Sequence, residues 1–200
     1  MIRAATPDDY DAIKRIREEV ALDAQKALSD ETYAQTMSQQ GFLLQSGLDE
    51  DTYRTEVATY SVFEHEALVS GYLCLRATRS LMLASKPPTA QWLKPELKEP
   101  YYDDEVPHAY LYGIGVSRRV THGGATGGAS ELLAHAEAIA RSRGAQWLFS
   151  MIVYAPILNG ASLKFHEKHG FVKTALTAPE EEAGLANFQN LLLSKNLRSK

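Results

Sequence analysis

A glycine-rich turn between a strand and a helix constrains the fold of this chain more than any other feature. Residues 109–116 are predicted as a strand, and residues 122–129, which read HGGATGGA, form the turn. The helix that follows carries an apolar stripe at helical spacing, made of Leu132, Leu133, Ala136, Ile139 and Ala140. Another strand, a helix and a strand come next, and this alternation is typical of a central sheet covered by helices.

The remaining segments complete a mixed α/β pattern. Strands are predicted at residues 2–4, 60–64, 68–75, 147–153, 171–176 and 190–197, and helices from residue 6 and at 25–39, 50–57 and 161–168. Residues 180–182, all glutamate, are predicted as a loop. We therefore predict a single α/β domain over residues 1–200.

Residues 86–108 contain five prolines and are predicted to form a loop with at most one short helix. A loop of this length inside a domain is usually functional or mobile. Its aromatic residues, Trp92, Tyr101 and Tyr102, favour a binding lip. A surface insertion specific to this lineage explains the length equally well.

Composition excludes several classes of protein. A net charge of -4 and a pI near 5.9 argue against nucleic-acid binding, which needs a basic surface. The lone cysteine, Cys74, lies in an apolar run and is expected to be buried, as in proteins of a reducing compartment. No run approaches the roughly 20 apolar residues of a membrane span, and the N-terminus lacks the apolar core of a signal peptide. A cytoplasmic protein without membrane or nucleic-acid partners is expected, and its oligomeric state, a homodimer included, stays open.

The glycine turn is a candidate site for phosphate. Small residues before a helix let backbone N–H groups converge on an anion, which the helix dipole also favours. No Lys-Ser/Thr pair follows, so the turn is not a Walker A loop, and its place in the chain does not suit a Rossmann fingerprint. Without other information, a glycine loop needed only for a tight turn is as good an explanation.

Residues 153–171, VYAPILNGASLKFHEKHGF, resemble the second signature block of GNAT acetyltransferases. That block has a Val ending a strand, an Asn, a small residue, an aromatic before Glu-Lys, and a final Gly-Phe. The opening residues 2–13, IRAATPDDYDAI, are similar to the usual start of the same family. Residues 80–108 have no counterpart in it.

The resemblance implies about seven strands and four helices, with two central parallel strands splayed apart to admit acyl-CoA. It further implies that acetyl-CoA is the co-substrate and that the splayed strands are residues 109–116 and 147–153. Backbone groups of Ile114 and Val116 would pair with the pantetheine arm, and Asn159 would bind the cofactor or organise its loop. The pyrophosphate would lie on backbone amides of Ala125, Thr126, Gly127, Gly128 and Ala129.

Two positions depart from the family pattern. Gly124 stands where the family usually has Arg or Gln, and three extra residues follow Val116. Arg118, Arg119 or His122 could supply the missing charge. His166 takes the place of a tyrosine that often protonates the departing CoA thiolate. A histidine can donate a proton near neutral pH, so it either keeps this role or only packs against the cofactor.

The reaction that the resemblance implies is direct attack of an amine on the acetyl thioester. Tyr112 is the chosen candidate for proton removal, with Tyr110, His108 and Glu105 as further candidates. Tyr110 and Tyr112 share one face of their strand. The acceptor would be a primary amine of a small molecule or peptide. A module that binds acyl-CoA without turnover and a binder of nucleotide phosphates are the alternatives.

Overall fold

The computed structural model describes residues 1–44, 47–77, 91–103, 106–122 and 127–198. Its sheet has nine strands in the order β1-β2-β3-β5-β6-β9-β7-β4, with β8 paired to β9. The strands are β1 Ile2–Ala4, β2 Tyr60–His65, β3 Leu68–Ala77, β4 Gln91–Trp92, β5 His108–Val116, β6 Trp147–Ala155, β7 Val172–Leu176, β8 Glu180–Glu182 and β9 Leu185–Asn196. Every pairing between these strands is antiparallel except that of β5 with β6.

Eight α-helices lie within the described residues. They are α1 Tyr10–Glu19, α2 Ala24–Ser29, α3 Glu31–Gln40, α4 Glu50–Glu56, α5 Lys98–Tyr102, α6 Arg118–His122, α7 Gly128–Ser142 and α8 Gly160–Lys168. The single helix predicted at residues 25–39 is two, because Asp30 leaves the helical conformation and its carboxylate accepts from Tyr33 N to start α3. Helices α5 and α6 have five residues each and gave no periodic signal.

Opposite faces of the sheet are covered by different helices because side chains alternate along each strand. On β3, Leu73 and Leu75 pack in the same cluster as Leu132, Leu133 and Ala136 of α7. The alternate residues, Tyr72 and Cys74, belong to the cluster of Ile13 and Ile16 from α1. The predicted apolar stripe of α7 is therefore confirmed, and Cys74 is buried as expected.

The aromatic residues of the proline-rich segment pack onto the sheet, which corrects the predicted binding lip. The Tyr101 side chain is buried, and its ring meets that of Phe149 at 5.1 Å. Trp92 and Tyr102 each lie within 6 Å of Tyr101, and β4 pairs with β7. Its described residues 91–103 contain one short α-helix, which agrees with the predicted maximum of one, and they pack over β5, β6 and β9. Residues 86–90 and 104–105 of the prediction lie outside the described part of the chain.

The strand count also differs from the expected seven. The two additional strands are β4, of two residues, and β8, of three. Residues 180–182 were predicted as a loop because three glutamates show no alternation, yet they pair with β9 across a turn at Ala183 and Gly184, both at positive φ. Short edge strands of this kind form because they pair with a neighbouring strand, and their own residues contribute little to the choice of conformation.

Candidate functional site

The parallel strands β5 and β6 separate in the middle of the sheet. Their pairing runs from His108 opposite Trp147 to Leu111 opposite Ser150 and then stops. Ser150 Oγ donates to the Leu111 carbonyl at 3.3 Å where the strands part. Beyond this point β5 still pairs with β3, and β6 with β9, on their outer edges. No described strand pairs with the inner edges, so backbone groups there are available to a ligand.

A cavity of about 360 Å³ lies in this opening, within the range of pockets that bind small ligands. Most of its walls come from β5 between Leu111 and Val116, from β6 between Ser150 and Val153, from α8, and from residues 40–44 at the end of α3 and after it. Single residues are added by the end of α1, the start of α7 and β9. The side chains most relevant to chemistry are Tyr112, Ser150, Asn159, Ser162, His166 and Asn190. Ile114 and Val116, predicted from the resemblance, both line this cavity.

Glycines allow β5 to lie close to a buried tyrosine beneath it. A Cβ on Gly115 would stand 2.7 Å from Tyr72 Cε1, whereas one on Gly113 would stand 3.7 Å from the ring. Tyr72 is fully buried, and Arg17 Nη1 approaches its hydroxyl at 3.5 Å. The floor of the cavity at this point is therefore backbone, without a side chain to fill it.

Residues 127–129, the described end of the glycine turn, are explained by the conformation and packing of the start of α7. Gly127 caps α7 with φ 139°, a conformation that other residues rarely adopt. A Cβ on Gly128 would stand 3.0 Å from the Phe63 ring, so glycine lets α7 approach β2. Ala129 lines the cavity in the first turn of this helix. Ala125 and Thr126, two of the predicted cofactor residues, lie outside the described part of the chain.

Asn159 ties two walls of the cavity together. Its Oδ1 accepts from Ser162 N and thereby caps α8, while its Nδ2 donates to the Phe42 carbonyl at 2.7 Å. The side chain is buried, and both ends of its amide are used within the protein. Of the two roles offered by the resemblance, this geometry supports organising the loop beside the cavity.

His166 lines the cavity from α8 and is only 2% exposed. Its Nδ1 lies 2.7 Å from the Ser162 carbonyl, one helical turn earlier, and the ring meets Phe165 and Phe171 edge-on. Nε2 is buried and has no hydrogen-bond partner among the described residues. Burial lowers the pKa of His166 below its ordinary value of 6.5.

Of the candidate bases within the described residues, Tyr112 is the one that lines the cavity. It is 48% exposed, and the Arg76 guanidinium, which also pairs with Glu56, lies 3.8 Å from its ring centroid. Tyr110 shares its face, as predicted, but is buried, and desolvation raises its pKa well above the ordinary 10.0. His108 is buried against Phe149. Glu105 lies outside the described residues.

A wall formed by the segment that follows α3 was not predicted from the sequence. Leu43 forms an isolated bridge with Ala21, with Leu43 N donating to Val20 O at 3.0 Å, and Phe42 to Leu44 face the cavity. Glu19 fixes the same region, because its carboxylate accepts from Ser117 Oγ and Arg118 N at the end of β5. These two bonds make Glu19 a structural residue that joins the end of α1 to the end of β5. The glycine at position 41, with φ 84°, was the available signal for a chain reversal here.

Comparison with known proteins agrees with this geometry. The family model described as the Acetyltransferase (GNAT) family matches residues 50–171, and a search of curated proteins gave no match. A ribosomal-protein-alanine N-acetyltransferase from Brucella melitensis is 18% identical with a TM-score of 0.61, and 98% of this chain aligns with 99% of that one. Naa20 from Chaetomium thermophilum, solved with a bisubstrate analogue, is 13% identical with a TM-score of 0.61, over 99% of this chain and 87% of that one.

A third similar structure was solved with coenzyme A. N-acetylglutamate synthase from Neisseria gonorrhoeae, complexed with coenzyme A and N-acetyl-glutamate, is 16% identical with a TM-score of 0.57, over 98% of this chain and 35% of that one. At these identities the structures show a shared fold. None of the described helices is long and apolar enough to cross a membrane. The family model covers more than half of the sequence, so the chain is an acyltransferase that belongs to the GNAT acetyltransferase family.

Proposed function

We propose that this protein, as one domain spanning residues 1–200, transfers an acetyl group from acetyl-CoA to a primary amine. The observation that carries the proposal is the opening between β5 and β6, whose inner edges have no strand partner among the described residues. A pantetheine arm carries two amides, and such groups can pair with the edge of a strand as another strand would. Backbone groups of Ile114 and Val116 are proposed to make these bonds.

The phosphates of acetyl-CoA are proposed to lie at the start of α7. This helix has fifteen residues, and the amides of its first turn, at Gly128 and Ala129, lack partners within the helix. Together with the amides of Ala125, Thr126 and Gly127 they would favour an anion. Asn159 is proposed to contribute to cofactor binding indirectly, because it stabilises the wall of the cavity at Phe42. The cavity and the helix start are thus both compatible with the proposed ligand.

The proposed reaction is direct attack of the amine nitrogen on the thioester carbonyl, with both substrates bound. Backbone N–H groups between Ile114 and Val116 would stabilise the negative charge that develops on the carbonyl oxygen. His166 and Tyr112 are proposed to handle protons, because they are the titratable side chains among the described residues that line the cavity. The amine must lose one proton and the thiolate must gain one.

The acceptor is proposed to be a small molecule or a peptide. The ribosomal-protein-alanine N-acetyltransferase is named for a protein substrate, whereas N-acetylglutamate synthase is named for a small-molecule product, so proteins of this fold are named for both kinds of acceptor. The described walls of the cavity are mostly apolar and contain no carboxylate. This favours an acceptor that enters with its amine uncharged over one that is held as an ammonium ion.

The test is calorimetric titration with acetyl-CoA, with ATP as the control ligand, followed by release of the free thiol in the presence of an amine panel. We expect micromolar binding of acetyl-CoA, no comparable binding of ATP, and thiol release that depends on the amine. Equal binding of both ligands would support a site for nucleotide phosphates. Binding of acetyl-CoA without thiol release from any amine would support a module without turnover, and no binding would refute the proposal.

A further inference from the structure

Tyr112 stands where the pairing of β5 is interrupted on one edge and ends on the other. Cys74 of β3 pairs with Gly113 of β5. Leu75, the next residue of β3, pairs with Leu111 rather than with Tyr112, which makes Tyr112 the extra residue of a β-bulge. The pairing of β5 with β6 also ends at Leu111. A bulge can redirect a side chain, and here the redirected Tyr112 forms part of the cavity wall.

Arg76 of β3 covers one face of the Tyr112 ring. Its guanidinium lies 3.8 Å from the ring centroid, well within the roughly 6 Å at which a cation is attracted to an aromatic face. The Arg76 side chain is only 12% exposed, so most of the cation is shielded from water, and this strengthens the attraction. The ring itself is 48% exposed and lies within reach of a ligand in the cavity.

Glu56, the last residue of α4, holds the Arg76 guanidinium in place. Its carboxylate accepts a hydrogen bond from Arg76 Nη2, and its side chain is 19% exposed. Arg54 and Glu50 form another ion pair on the same helix, but both are about half exposed, and exposed pairs contribute little. The buried pair of Glu56 and Arg76 therefore connects α4, through β3, to the Tyr112 ring.

We propose that Arg76 is a positioning residue for the amine acceptor, because it holds the Tyr112 ring in one orientation at the wall of the cavity. This proposal rests on the proposed function. Without the guanidinium, a half-exposed tyrosine would sample several rotamers, and an entering amine would lose binding energy in ordering the ring. Arg76 is not among the residues that line the cavity, so it acts through the ring and not by contact with the amine.

The first test is the KM for the amine in the full chain. Arg76→Gln should raise this KM about tenfold, the equivalent of one cation–π contact in a partly buried place. The value of kcat should change much less, because a saturating amine orders the ring, and acetyl-CoA should bind as before. Arg76→Lys should restore most of the KM, since an ammonium group can also lie over a ring and pair with Glu56.

Two controls distinguish positioning from a general loss of structure. Arg54→Gln removes an ion pair from the same helix and should leave the KM unchanged. Tyr112→Leu should raise the KM by itself, and adding Arg76→Gln should raise it no further, because no ring remains to be held. An unchanged KM in Arg76→Gln, or a second full rise in the double variant, would overturn the proposal.

A second measurement requires no turnover. In protein labelled with 3-fluorotyrosine, the ¹⁹F resonance of Tyr112 is the one that is lost in Tyr112→Phe. It should shift and narrow in Arg76→Gln, because the ring is no longer held against a guanidinium, and stay in place in Arg54→Gln. An unmoved resonance in Arg76→Gln would refute the positioning role even if the enzyme is active. Failure of the proposed function looks different, because acetyl-CoA would then fail to bind in the calorimeter whatever the state of the ring.

Discussion

Replacing Asn159 with alanine tests whether one buried amide holds the wall of the cavity in place. The change removes the cap of α8, which costs about 1 kcal/mol. It also leaves the buried Phe42 carbonyl without its donor at 2.7 Å, which costs about 1–3 kcal/mol more. The sum, roughly 2–4 kcal/mol, corresponds to a fall in Tm of roughly 5–12 °C for a chain of this size.

Urea and thermal unfolding of Asn159→Ala measure this effect, and Asp30→Ala is the control. Asp30 caps α3 through Tyr33 N, but its side chain is exposed and makes no second bond of this kind to the described residues, so its loss should cost about 1 kcal/mol. Acetyl-CoA should bind more weakly to Asn159→Ala than to Asp30→Ala, because only the first change frees residues 41–44 of the cavity wall. Equal loss of stability in the two variants would show that the Phe42 bond contributes nothing, and the reasoning would fail.

Two further predictions each compare a pair of substitutions, the first at two glycines of β5 and the second at a single position of α7. Gly115→Ala should destabilise the protein by about 1–3 kcal/mol, since its Cβ would meet the Tyr72 ring at 2.7 Å, while Gly113→Ala should be close to neutral in the same urea titration. Loss of stability in both variants alike would mean that strand flexibility, rather than contact with the ring, decides the effect. Ala129→Glu should weaken acetyl-CoA binding about tenfold more than Ala129→Gln, because only glutamate adds a negative charge. At about 10 Å from a phosphate and an effective dielectric constant of about 20, that charge costs roughly 1.7 kcal/mol. Equal affinities of the two variants in calorimetry would move the phosphates away from α7.

The principal elements of the sheet could be predicted from sequence because each carries its own signal. The apolar stripe of α7 and the alternating residues of β3 report burial on one face, and both predictions are confirmed. The break at Asp30 was missed because helical periodicity continues across it at Ala27, Ala34 and Met37. In sequence, an Asp that caps a new helix looks the same as an Asp on the exposed face of one longer polar helix. Only the path of the chain distinguishes the two.

The site was predictable where backbone geometry dictates the residue and unpredictable where distant segments meet. Ile114 and Val116, on the strand before the glycine turn, and His166, in the second signature block, do line the cavity. Their roles toward a cofactor or substrate stay predictions. Phe42 was missed, since its contact with Asn159 spans 117 positions and leaves no local pattern. The lowered pKa of His166 could not be predicted from the sequence either, because it is caused mainly by burial, which only packing determines.

The opening in the sheet explains why these scattered contacts matter together. A sheet normally pairs every inner strand on both edges, and separating β5 from β6 beyond Leu111 leaves backbone groups without that pairing. Polar contacts fix the margins of the gap: the Ser150 hydroxyl where the strands part, Glu19 at the end of β5, and Asn159 beside α8. A ligand that carries amides would restore pairing along the edges that these residues hold apart. The walls of the cavity are thus mostly apolar, while the hydrogen bonds at its margins hold the two strands apart.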